Sequence, residues 1–98
     1  MQRIVKEGNW KYSDEHFEKI IIVEQDWDQF YEEGYSEDPP YLNSKGYVYY
    51  IHFGNYWINE YGNICPGSIS IPFLSKEEAE EYAKNQVSDL MWNKSSKD

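Results

Sequence analysis

The pattern of apolar and polar positions divides the chain into a strand-rich body and a C-terminal helix. Phe17 to Val23 ends in four consecutive β-branched residues, Ile20-Ile21-Ile22-Val23. A short run that is apolar at every position reads as a strand buried on both faces, hence central in its sheet. Gly46 to Phe53 (GYVYYIHF) is rich in strand formers. Gly54-Asn55 is a two-residue hairpin signal, which predicts that Tyr56 to Tyr61 folds back on that strand. Gly62-Asn63 marks another turn. Ser68 to Phe73 alternates, with Ile69, Ile71 and Phe73 on one face, and Pro72 puts this strand at a sheet edge or ends it there.

Helical spacing takes over after Ser75. Ser75 and Glu78 form a capping box. Ala79, Tyr82, Ala83, Gln86, Val87, Leu90 and Met91 then recur on one face, predicting a helix from Lys76 to Trp92. Its acids, Glu77, Glu78, Glu80 and Glu81, lie in the first turns, where the helix dipole favours them. A second helical signal is shorter. Trp27, Phe30 and Tyr31 stand at i, i+3 and i+4, Asp26 is placed to cap them with Gln29 completing a box, and Gly34 is placed to end the turn. This predicts a helix from Trp27 to Glu33, then a loop from Tyr35 to Ser44 stiffened by Pro39-Pro40. Residues 1–12 read as a short strand or a turn, and Asn93 to Asp98 as a frayed end.

The expected architecture is one α+β domain. It is an antiparallel sheet of about four strands with the C-terminal helix packed on one face and a short acidic and aromatic helix near residues 27–33. With 98 residues the chain buries about two thirds of its unfolded surface, enough for one core. Eighteen aromatic residues argue against disorder. The lone Cys65 allows no internal disulfide or CxxC zinc site and fits a reducing compartment. The N-terminal residues lack an apolar leader segment, and Ile20–Val23 is far too short to span a membrane, so a cytoplasmic location is expected.

Charge changes the picture most. Residues 14–38 hold ten acids and one base, Lys19, and so carry the whole net charge of −9; the rest of the chain has eight acids and eight bases. Solubility does not ask for such clustering. The densest part, EQDWDQFYEEGYSEDPP (24–40), is not an EF-hand loop, because Phe30 and Tyr31 stand where an acid and glycine belong. No metal or other cofactor is expected. Bases are scattered and aromatics interleave with acids, which argues against direct nucleic-acid binding.

The same composition suits a surface for a basic partner, a nucleic-acid-binding protein or nuclease. Carboxylates at Glu24, Asp26, Asp28, Glu32, Glu33, Glu37 and Asp38 would meet its charge. Trp27, Tyr31, Tyr35 and Tyr41 would supply rigid contact area. Asp28 and Glu32, one helical turn apart, have about the spacing of successive phosphates, roughly 6 Å. A non-enzymatic inhibitor follows, either a phage anti-defence protein of anti-CRISPR or anti-restriction type acting as a nucleic-acid mimic, or an immunity protein to a nuclease toxin. An acidic face that is merely solvated and meets no partner competes for the same residues, and two other functional readings stand beside it. One is a small enzyme using His52 or His16 with a nearby carboxylate, although the spacing predicts only a half-buried His52 with one hydrogen bond and a turn at Cys65-Pro66-Gly67. The other is an interaction module whose sheet face, including Tyr50 and Trp57, binds a peptide or a second copy.

Overall fold

The computed structural model describes residues 1–32, 34, 40–65 and 67–93, apart from the side chains of Phe30 and Glu32. Its frame is an antiparallel hairpin of β1 (Gln2–Ser13) and β2 (His16–Gln25), turned at Asp14-Glu15. Next come a single helical turn, α1 (Gln29–Glu32), and strand β3 (Val48–Phe53). Four two-residue strands follow around one helix: β4 (Trp57–Ile58), β5 (Ile64–Cys65), β6 (Ser68–Ile69), α2 (Lys76–Gln86) and β7 (Met91–Trp92). The main sheet is antiparallel with five strands in the order β6-β3-β2-β1-β7, and β4 and β5 form a separate ribbon. The fold is therefore α+β, with five strands in the main sheet where about four were expected.

Strand β2 is central because both its faces are covered. Ile20, Ile22 and Ile51 pack against Ala79 and Ala83 of α2, with Trp10, Phe53, Phe73 and Tyr82 around them. Ile21 and Val23 face the other way, against Ile4, Tyr56 and Ile64 of the ribbon. All four residues of Ile20–Val23 are fully buried, each contributing about 1.5–3 kcal/mol. A strand apolar on both faces does not set its own register. The two-residue turn and a bulge at Val5 do so: alternation puts Ile4 on the ribbon side and Val5 on the helix side, and the extra residue keeps Lys6, opposite Ile22, on the helix side as well, where it meets Glu80.

Three expectations are corrected. Residues 1–12 are neither a short strand nor a turn but most of a twelve-residue strand. Its Gly8 and Asn9 weaken the strand signal, and pairing with β2 overrides it. Second, Tyr56 to Tyr61 does not fold back on β3. One edge of β3 is taken by β2 and the other by β6, so the chain turns away at Gly54 (φ 82°), whose N–H donates to the Lys19 carbonyl at 2.7 Å. Third, α2 begins as expected, with Ser75 Oγ accepting from Glu78 N–H at 3.1 Å, but it ends at Gln86. Ser88 and Asp89 are poor helix formers, and Asp89 turns left-handed (φ 50°). Met91 and Trp92 are thereby laid beside Asn9 and Gly8.

That last contact explains Gly8. A Cβ at this position would run into the Met91 carbonyl and approach Trp92 Cα to 2.9 Å. Both obstacles are backbone, so Gly8→Ala is expected to push β7 off the sheet. The checking measurement is tryptophan emission together with a urea melt: a red shift and a loss of about 1–3 kcal/mol are expected, and unchanged emission would contradict the close approach.

Candidate functional site

The acidic segment starts where β2 ends. Gln25 is fully buried and turns the chain, donating from Nε2 to the Trp27 carbonyl at 3.0 Å and accepting at Oε1 from Gln2 Nε2 at 3.0 Å. Gln2 in turn accepts from Ile64 N–H at 2.7 Å, which ties the segment to the ribbon. The cap of α1 is Asp28, two residues after the expected Asp26. Its Oδ1 accepts from Tyr31 N–H at 3.3 Å and from the Tyr50 hydroxyl at 3.0 Å, and its Oδ2 from Tyr41 N–H at 2.8 Å. Only 5% of Asp28 is exposed. Tyr50 Oη accepts from Gln29 N–H at 3.0 Å, so one buried carboxylate and one buried phenol hold together α1, β3 and the return of the chain at Tyr41. Gly34 closes the turn as expected, with φ 79° and its N–H on the Tyr31 carbonyl at 3.1 Å.

The predicted contact residues thus separate. Asp28 is turned inward, contrary to the expected partner-facing role. So is Glu24, which is 8% exposed and pairs with Arg3 at 3.0 Å and the Tyr49 hydroxyl at 2.7 Å. Burial and the Glu24 carboxylate push the Tyr49 hydroxyl up to about 12. Asp26 is exposed and accepts from the Met1 amino group at 2.7 Å; that hydrogen bond holds its carboxyl below the usual range. Trp27 is half-buried, while Tyr31 and Tyr41 are exposed. Glu33, Tyr35, Glu37 and Asp38 lie outside the described residues, as does the side chain of Glu32.

The remaining acids of the charged window sit at the opposite end of β2. Asp14 and Glu15 are exposed in the hairpin turn, with Asp14 at 3.7 Å from Lys11. Ten residues of strand put about 30 Å between this turn and Asp26. A run of acids continuous in sequence is therefore divided in space. The hairpin end also presents Tyr12 and Phe17, 66% and 54% exposed, which were not singled out from sequence. Their nearness to the Asp14-Glu15 turn is the signal that could have found them. This end overhangs the sheet, because β3 pairs with β2 no further than Ile20 and β7 meets β1 only at Gly8 and Asn9.

The residues of the competing readings also fall into place. His52 is 1% exposed and not half-buried; neither ring nitrogen has a hydrogen-bond partner among the described residues. Burial pushes its pKa down to about 4. His16 is exposed, with Nε2 at 2.8 Å from Glu18 Oε1. Cys65 lies on the ribbon strand β5, not in a turn, and its Sγ is 3.8 Å from the Asn63 carbonyl. Tyr50 is fully buried and offers no surface, whereas Trp57 is exposed. Among the described residues no group of His, Cys, Asp or Glu could hold a metal ion, and no helix is long and apolar enough to cross a membrane. Comparison with protein-family models, curated proteins and solved structures returns no match for this chain.

Proposed function

We propose that the protein is a small non-enzymatic inhibitor that binds a basic, nucleic-acid-handling protein. The observation that carries this reading is the charge: all of the −9 belongs to residues 14–38, and exposed aromatics stand at both ends of that segment. One end offers Asp26, Tyr31 and Tyr41 beside the half-buried Trp27, with Glu33, Tyr35, Glu37 and Asp38 adding charge and an aromatic in sequence. The other offers Tyr12, Asp14, Glu15 and Phe17. Exposed aromatic anchors next to unbalanced charge suit an interface that is fast to form and specific. Asp28 is turned inward and does not offer its carboxylate as one of a phosphate-like pair. The favoured mode is therefore covering a basic site, as an anti-defence or immunity protein would, and not imitation of a nucleic-acid backbone.

The test is capture of the partner from a host lysate, followed by association kinetics at low and high salt. The captured protein is expected to be basic, and the association rate is expected to fall about tenfold or more between the two conditions. Asp14→Lys with Glu15→Lys, and separately Glu33→Lys with Glu37→Lys, should each slow association while leaving the melting temperature unchanged. Salt-independent binding that survives all four reversals would sink the reading.

A second reading rests on the ribbon, where Trp57, Ile58 and Tyr61 are 57%, 56% and 80% exposed. There the module would bind a peptide or a second copy through apolar contact. Under that reading Trp57→Ser abolishes binding and the charge reversals do not.

A further inference from the structure

We infer that a groove beside the start of α2 binds a compact oxyanion, a phosphate or carboxylate group carried by a small polar ligand. The groove has a volume of about 810 Å³ and lies between β1, the 43–45 turn and the entry to α2. It gathers three of the nine bases of this acidic protein, Arg3, Lys45 and Lys76. The acids on its wall are Glu24 and Glu77. Glu24 is paired with Arg3 and accepts from the Tyr49 hydroxyl, so Lys45 and Lys76 face Glu77 alone and the lining is one charge positive although the chain as a whole carries −9. Among the described residues Lys45, Lys76 and Lys84 form no ion pair, and two of these three line the groove, whereas Arg3, Lys6, Lys11 and Lys19 are all paired.

Lys76 also stands where a cation is disfavoured, in the first turn of a helix. Locally unfavourable choices of this kind tend to mark function, and an oxyanion in the groove would offset the repulsion. The walls are fixed beforehand. Asn43 donates from Nδ2 to the Leu74 carbonyl at 3.0 Å and accepts at Oδ1 from Lys45 N–H and Tyr47 N–H, which locks the turn carrying Lys45 against the entry to α2. Tyr49 exchanges two backbone hydrogen bonds with Phe73, both 2.8 Å. Arg3 uses one of its nitrogens on Glu24 and is 65% exposed, so its planar fork retains donors for a second oxyanion. The backbone around the groove is thus set before binding, and what an anion must order is the side chains of Arg3, Lys45 and Lys76.

The experiment is an NMR titration of the full chain at constant ionic strength, with inorganic phosphate in one arm and succinate in the other. Saturable shifts confined to residues 3, 43–45, 49 and 75–77 are expected in at least one arm, and the arm that saturates first identifies the preferred group. Lys45→Gln with Lys76→Gln should weaken that binding about tenfold or more. Lys84→Gln, elsewhere on the helix, should leave it unchanged. If neither anion saturates, if shifts spread over every lysine, or if the double variant binds equally well, the inference is overturned.

Discussion

Taking the protein from pH 7 to pH 4 is expected to remove about 3 kcal/mol of stability through one side chain, His52. The imidazole is sealed between strands, opposite Ile21 on one side and Ile69 on the other. Burial lowers its folded pKa from 6.5 to about 4. Across that interval the unfolded chain takes up a proton that the folded chain refuses. The contribution of neutral His52 is therefore complete above about pH 6.5 and is lost as pH falls towards 4. Carboxylates titrate in part of the same window, so the comparison must be between variants. Urea melts of the natural protein and of His52→Leu, each at pH 7 and pH 4.5, isolate the histidine. The variant's loss on acidification should be smaller by about 2–3 kcal/mol. At pH 7 it should be at least as stable, because a buried ring with two unpartnered nitrogens carries a desolvation cost that leucine lacks. Parallel pH profiles would show that His52 is not what couples this fold to acid.

Asp28 carries the second large effect. Replacing it with alanine removes the cap of α1 and an acceptor used by the Tyr50 hydroxyl and by Tyr41 N–H, all in a region with little water access. A loss of about 3 kcal/mol is expected from charged hydrogen bonds of this kind. Asp28→Asn keeps one acceptor oxygen and should lose about half of that. Combining Asp28→Ala with Tyr50→Phe should cost less than the sum of the two single changes, since both break the same contact. Asp26→Ala, at the residue that sequence alone nominates as the cap, should leave the urea midpoint nearly unchanged. If the two aspartates behaved alike, the hub assigned to Asp28 would be wrong.

The difference between Asp26 and Asp28 shows where the sequence was legible and where it was not. Features set by neighbouring residues could be read directly. Ser75 caps α2, Gly34 adopts the left-handed turn, and Ile20–Val23 is buried on both faces. What depended on a distant partner could not be read. Asp28 is chosen as cap because Tyr50, 22 residues away, delivers a hydroxyl to it. Gly8 looks like a strand breaker until β7 arrives from residue 91. Gly54-Asn55 has the chemistry of a hairpin, but β3 already has neighbours on both edges. The acidic window was legible as composition and misleading as geometry, because the length of β2 divides it.

The two ends of the sheet order bear on whether the backbone can template further strands. A long, flat, unpaired edge is a template for further strands and hence for aggregation. Beyond the two residues covered by β7, β1 presents the Val5 bulge together with charged Arg3 and Lys6, and Lys6 is held by Glu80 of α2 at 3.1 Å. At the other edge β6 is only two residues long, and Pro72 follows with no N–H to donate. Both edges are therefore poor templates for cross-β growth. A chain that exposes Tyr12, Phe17, Trp57 and Tyr61 thus combines apolar surface with sheet edges that offer its backbone little to pair with.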